Sequence, residues 1–127
     1  MAFARNFRDL DTYKFARELQ REVFDLTHKF PVEEKYSLTD QIRRSSRSTG
    51  AQIAEAWGKR RYERHFISKL TDADAEQLET QHWIESAMDC NYIEKETCER
   101  LISRYEHLGS MINNMISKSS GFCTGDD

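Results

Sequence analysis

Apolar positions recur at steps of three and four along nearly the whole chain, the spacing of helices that bury one face. The first such stripe is Thr12, Phe15, Ala16, Leu19, Val23, Leu26 and Phe30. Asp9 or Asp11 can cap its start, and Pro31 stops it, because the residue before a proline is pushed out of helical geometry. A second stripe runs Leu38, Ile42, Thr49, Ile53, Ala56 and Trp57. Ser37-Leu-Thr-Asp40 resembles a capping box at its head, with Thr39 an equal candidate, and Gly58 is expected to close it as a left-handed cap. A third stripe holds Phe66, Leu70, Ala73, Gln77, Ile84 and Met88. The fourth, Leu101, Tyr105, Leu108, Ile112 and Met115, steps like a heptad seam. These stripes predict helices over 10–30, 38–58, 61–90 and 94–117 and a disordered polar tail over 118–127. Connections this short predict an all-α, antiparallel up-down-up-down four-helix bundle, one domain over 1–127.

Some positions fall outside this simple pattern. Ser45, Ser46, Ser48, Thr49, Gly50 and Ala51 are all small, which lets a neighbouring backbone approach closely. Gly50 costs about 1 kcal/mol of helix propensity against alanine, so packing has to account for it. Tyr13, Phe24 and Trp83 lie off the core faces of their helices. A lone bundle needs one apolar face per helix, so a second strip predicts a homo-oligomer, with Tyr13, Phe24, Trp83, Gly50 and Ala54 as candidate interface residues.

Charge changes the picture more than composition does. The chain is formally −3, but residues 38–61 carry six basic side chains against two acidic, and residues 62–106 carry five basic against eleven acidic. Arg43, Arg44, Arg47, Lys59, Arg60 and Arg61 are therefore candidate nucleic-acid contacts, each able to neutralise a phosphate. The competing reading pairs them with the acidic third helix or with a neighbouring subunit. No apolar run has the length of a membrane span, and residues 1–11 lack a secretory pattern, so a soluble chain with no membrane association is expected. Three cysteines without a close pair suit reduced thiols in the cytoplasm.

Reaction chemistry finds little purchase. Di-iron bundles point Glu-x-x-His pairs inward. Here Glu79-Thr-Gln-His82 and Asp25-Leu-Thr-His28 fall opposite their apolar stripes, so no metal and no cofactor are expected. The serines of the second helix have no glycine-rich elbow, and Cys90 and Cys98 read as packing residues, so no catalytic residue is assigned.

The run Ala16, Leu19, Val23-Phe24, Thr27, Phe30-Pro31, Glu34, Tyr36 to Thr39, Gln41 to Ser45, Ser48, Ile53 to Glu55, Gly58 and Arg60 resembles the 23S rRNA intervening-sequence proteins, as does Leu78-Glu79-Thr80. It is similar in the same way to the accessory proteins of diversity-generating retroelements. Thr49-Gly50, Gln52, Ala56 and the acidic net charge depart from these patterns. The resemblance implies a bacterial or phage origin and an antiparallel bundle assembled as a homopentameric barrel. It supplies no enzymatic activity. The retroelement relatives are implied to bind nucleic acid and a reverse transcriptase through a basic surface. The function expected from the sequence is thus a non-enzymatic cytoplasmic scaffold for RNA, DNA or a nucleic-acid-handling protein. A pure protein-interaction oligomer is the alternative.

Overall fold

The computed structural model describes residues 4–124 and contains four long helices, α1 (Asp11–Thr27), α2 (Leu38–Gly58), α3 (Glu63–Asp89) and α4 (Lys95–Ser117), and a short α5 (Ser119–Phe122). Single 3-10 turns, Phe7–Asp9 and Val32–Glu34, precede α1 and α2. α2 packs on α1 and α3, and α4 on α3 and α1, so the helices follow one another around the bundle. The two ends can be told apart by their contacts. The Tyr92 hydroxyl donates to Glu34 at 2.8 Å, and Phe30 and Tyr92 pack with ring centroids 5.6 Å apart. These contacts place the α1–α2 and α3–α4 connections together at one end, here called the upper end. At the lower end the Thr124 amide donates to the Arg60 carbonyl at 3.0 Å.

The predicted stripes form the core. Leu19, Val23, Ile42, Ile53, Phe66, Leu70, Ile84, Leu108 and Ile112 are buried, as is the whole α4 seam. Phe15, Leu26, Trp57 and Met88 flank it half-buried. The small residues of α2 divide between two neighbours. Toward α3, the Thr80 hydroxyl donates to Ser45 Oγ at 2.8 Å, Ser45 donates to the Ile42 carbonyl at 3.4 Å, and Thr49 donates to the Ser45 carbonyl at 3.0 Å. Toward α1, a Cβ on Gly50 would stand 3.7 Å from Tyr13 Cε1 and 3.9 Å from the Ala16 Cβ. Across α3–α4 the approach is closer still. A Cβ on Gly109 would fall 2.7 Å from the amide nitrogen of the buried Gln77, which donates to Asp74 at 2.9 Å.

Four expectations change. Helix α1 stops at Thr27, because the amides of His28, Lys29 and Phe30 turn to carbonyls three residues back and tighten the chain ahead of Pro31. The capping box at Ser37 does not form. The Ser37 hydroxyl and the Leu38 amide both donate to the Glu34 carboxylate, at 2.6 and 3.3 Å, so the preceding turn supplies the cap. Gly58 is a right-handed last residue of α2 and not a left-handed cap, since among the described residues the only positive φ belongs to Asn91, at 62°. The tail expected to be disordered over 118–127 is ordered as far as Thr124. Its α5 turn lays Phe122 on Phe66, centroids 5.7 Å apart, and covers the start of α3. Residues 125–127 lie outside the described residues.

Two stability changes follow from these packing details. The Tyr105 hydroxyl is buried with no hydrogen-bond partner among the described residues, and burial raises its pKa. A desolvated donor without a partner costs about 1–3 kcal/mol, so Tyr105→Phe is expected to leave stability unchanged or raise it by about 1 kcal/mol in urea unfolding. A loss of that size would show that the hydroxyl is bonded. At Gly58 a Cβ meets nothing within 4 Å, so Gly58→Ala should raise the urea midpoint, by about 0.5–1 kcal/mol in stability.

Candidate basic faces

The six basic candidates of the α2 region separate into two places. Arg43, Arg44 and Arg47 stand on the upper half of α2, where with Tyr36, Asp40 and Ala51 they border an open groove of about 660 Å³. Lys59, Arg60 and Arg61 stand at the lower end. Twelve residues of helix separate Arg47 from Lys59, roughly 18 Å along the axis.

The upper three have different commitments. Arg44 bridges two carboxylates of α3, Glu76 at 3.0 Å and Glu79 through a short contact. Glu79 also accepts from Trp83 Nε1 at 2.9 Å, and that bond, ahead of Arg44, holds its pKa low. Arg43 turns to α1, where its Nε donates to Thr27 Oγ1 at 2.9 Å and its guanidinium lies 4.6 Å from the centre of the Phe24 ring. Arg47 covers the same ring at 5.6 Å. Neither Arg43 nor Arg47 has a carboxylate within ion-pair distance among the described residues. Phe24 is thus an aromatic platform beneath two arginines. It comes from another helix, so no spacing along α2 could have revealed it.

At the lower end the α2–α3 turn carries its cations beside aromatic rings. The Arg60 guanidinium stacks 3.5 Å from the Trp57 centroid while its Nε donates to the Trp57 carbonyl at 2.9 Å. Arg61 lies 5.7 Å from the Tyr62 centroid, and Tyr62 is 46% exposed. Lys59, Arg61 and the neighbouring Arg64 are exposed, and none of the turn's cations has a carboxylate in ion-pair range among the described residues. Tyr62 and Arg64 belong to this face and were not singled out from the sequence, because they sit in a connection and a first turn where no periodicity applies. Cations here also suit the negative end of α2's dipole.

The candidate interface residues fare unevenly. Gly50 is buried against α1, and its small size is explained within the chain. Tyr13 packs edge-on to Phe7 with centroids 4.8 Å apart and accepts from Arg17 at 3.1 Å, and it is half-buried, as are Trp83 and Ala54. Phe24 is 37% exposed, and Val32 and Tyr36 in the α1–α2 connection stand almost fully in solvent. Two arginines outside the α2 cluster, Arg100 and Arg104 of α4, bind Glu18 and Glu22 of α1 and close the bundle's thinnest seam.

Reactive side chains are occupied or suppressed. The hydroxyls of Ser45, Thr49 and Thr80 are buried and hydrogen-bonded. Burial, with Glu85, Glu99 and Asp89 nearby, raises the Cys98 pKa, away from a nucleophilic thiolate. Glu79 is held by Arg44 and Trp83, and His28 lies against the Phe24 carbonyl at 3.0 Å. Among the described residues no three His, Cys, Asp or Glu side chains gather as a metal site would require. No helix among them is long and apolar enough to cross a membrane.

Residues 8–114 match the family of the 23S rRNA-intervening sequence protein. Among solved structures, a protein of unknown function from the S23 ribosomal protein family of Bacteroides thetaiotaomicron superposes with a TM-score of 0.75 at 27% identity. The match covers 84% of this chain and 95% of that one. No curated protein matches the sequence.

Both faces depend on the Glu34 carboxylate, which fixes where α2 starts. Its bonds from Ser37, Tyr92 and the Leu38 amide hold its pKa below the usual 4.5. A lowered folded-state pKa gives a contribution that is complete above the unfolded value and fades as pH falls through the folded one. Glu34→Gln should therefore lower the urea midpoint at pH 7, and the gap from wild type should close as pH drops below about 4.5. A pH-independent gap would show that the charge is not what the cap uses.

Proposed function

The chain belongs to the 23S rRNA-intervening sequence protein family, and we propose that it is a non-enzymatic, homo-oligomeric bundle that scaffolds nucleic acid through the lower-end turn of α2–α3. The observation that carries this reading is the set Lys59, Arg60, Arg61 and Arg64 set beside Trp57 and Tyr62, with no carboxylate in ion-pair range of these cations among the described residues. Cations track a phosphate backbone, and an exposed ring accepts any unstacked base, which is how single strands are held without sequence preference. The first turn of α3 adds the positive end of its dipole to the same place. A ribosomal RNA segment, or the nucleic acid handled by a reverse transcriptase, is the class of partner that fits, in a bacterial cytoplasm.

Oligomerisation strengthens this reading, because one turn per subunit becomes several on one particle. The exposed Phe24, Val32 and Tyr36 support self-assembly. Five copies are what the family resemblance implies. The absence of catalysis is supported by the buried, bonded hydroxyls and by the suppressed Cys98 thiol. A pure protein-interaction oligomer is the second reading, favoured by the eleven acidic residues of 62–106.

Titration of single-stranded RNA and duplex DNA against salt separates the two. Wild type should bind at low salt with affinity that falls as salt rises. Lys59→Ala/Arg61→Ala should weaken both ligands at least tenfold and flatten the salt dependence. Tyr62→Ala should weaken the single strand by about 1–3 kcal/mol and spare the duplex. Arg44→Ala, which removes a group committed to α3, should leave binding unchanged. Absence of binding at low salt, or indifference to Lys59→Ala/Arg61→Ala, leaves the protein-interaction reading.

A further inference from the structure

The upper half of the bundle carries a second surface that complements the first. Between α3 and α4 an open groove of about 250 Å³ is floored by Met88, Ile102 and the buried Cys98 and rimmed by Glu85, Glu99 and Glu106. Its one base, Lys95, pairs with Glu99 at 3.9 Å. Glu85 and Glu106 have no cation in ion-pair range among the described residues. The groove is thus apolar within and negative around. On the α1–α2 side, Phe24 is apolar within and the uncommitted Arg43 and Arg47 are positive around it. An apolar cavity of about 150 Å³ is enough for a benzene ring, so the groove has room for the Phe24 side chain.

The placement of the two surfaces decides what they build. The helices run in order around the bundle, so the α1–α2 side and the α3–α4 side face opposite ways. The bond from Tyr92 to Glu34 puts both surfaces near the same end. Phe24 lies one turn below the top of α1, and Arg43 and Arg47 lie in the upper half of α2. The groove runs from the last turn of α3 down the upper half of α4. Complementary patches on opposite sides make a heterologous contact, in which each copy uses one face for each neighbour. At equal height the operation relating neighbours has little rise along the helices, so the chain of contacts closes into a ring instead of climbing into a filament.

We propose that the Phe24–Arg43–Arg47 face of one subunit docks in the Glu85–Glu99–Glu106 groove of the next, head to tail, to form a closed ring of parallel bundles. This rests on the homo-oligomeric reading above and adds which faces meet. It assigns the basic residues of α2 to separate tasks: Arg44 inside the subunit, Arg43 and Arg47 between subunits, and Lys59 to Arg61 on one common rim of the ring.

A mixing experiment tests the contact. Phe24→Glu/Arg47→Glu removes one face, and Ser103→Trp, at an exposed position lining the groove, fills the other. Each variant alone should run in light scattering as a 15.0 kDa monomer with wild-type helicity by circular dichroism. An equal mixture should stop at a 1:1 dimer, because one intact face of each kind remains. Wild type should run as a defined oligomer at every concentration above its dissociation constant. Variants that keep the wild-type mass, or a mixture that stays monomeric, overturn the proposed contact while leaving oligomerisation standing. A monomeric wild type overturns both. Nucleic-acid binding by Lys59 to Arg61 is read separately, by titration, and its failure leaves the mixing result intact.

Discussion

The close approach of α2 to α3 is the contact on which the other features depend. α2 presents serines and threonines where a bundle helix ordinarily presents leucines, and such a wall is stable only if every hydroxyl is bonded inside it. The relay from Thr80 through Ser45 to the Ile42 carbonyl, with Thr49 bonded to its own helix, meets that demand. Short side chains then bring the two helices near enough for Arg44 to reach both Glu76 and Glu79. With bulkier residues at Ser45 and Thr49, α2 would stand further off, and that bridge would lengthen. Close packing and charge pairing are therefore one arrangement. The same approach leaves Arg47 and the outer residues of α2 turned to solvent.

Three strips of one helix thus meet three environments. The strip of Ser45 and Thr49 faces α3, the strip of Arg43 and Gly50 faces α1, and the strip of Tyr36, Asp40 and Arg47 faces solvent. A one-residue shift of α2 about its axis would carry each strip by about 100° into the wrong environment. The Glu34 carboxylate, bonded to Ser37, to the Leu38 amide and to Tyr92 of the opposite connection, fixes that register at the top. The Arg60 carbonyl, bonded to Thr124, holds the turn at the bottom.

The stripes were legible in the sequence because burial repeats with the helical period. Leu19, Ile53, Leu70 and Leu108 could each be placed from their neighbours three and four positions away. What periodicity could not supply were contacts made across helices or within connections. Phe24 looked like a stray aromatic until α2 laid two arginines over it. The cap on α2 looked like Ser37 or Thr39, because the true partner, Glu34, belongs to a turn with no period. Gly58 looked like a left-handed cap because glycine often is one there, yet the chain turns without a positive φ. Phe122 looked like part of a frayed tail, because its partner Phe66 lies 56 residues earlier. Of the six basic candidates, sequence identified the charge but not the destination, and destination is what separates Arg44 from Arg47.

Net charge is a poor guide to what such a chain binds. A formal −3 argues against a polyanion partner only if the charges are mixed, and here they are sorted. Carboxylates of α1 are taken up by Arg100 and Arg104, and those of the middle of α3 by Arg44. The Glu85 and Glu106 carboxylates stand at the upper end beside an apolar groove, many ångströms along α3 from the Lys59 turn. Charges separated by more than a Debye length, about 8 Å in physiological salt, scarcely feel one another through solvent. A phosphate approaching the lower end therefore meets the local set of Lys59, Arg60, Arg61 and Arg64, while the acidic surplus acts at the opposite end. Sorting by height lets one small acidic bundle present a basic surface to one partner and an acidic surface to another.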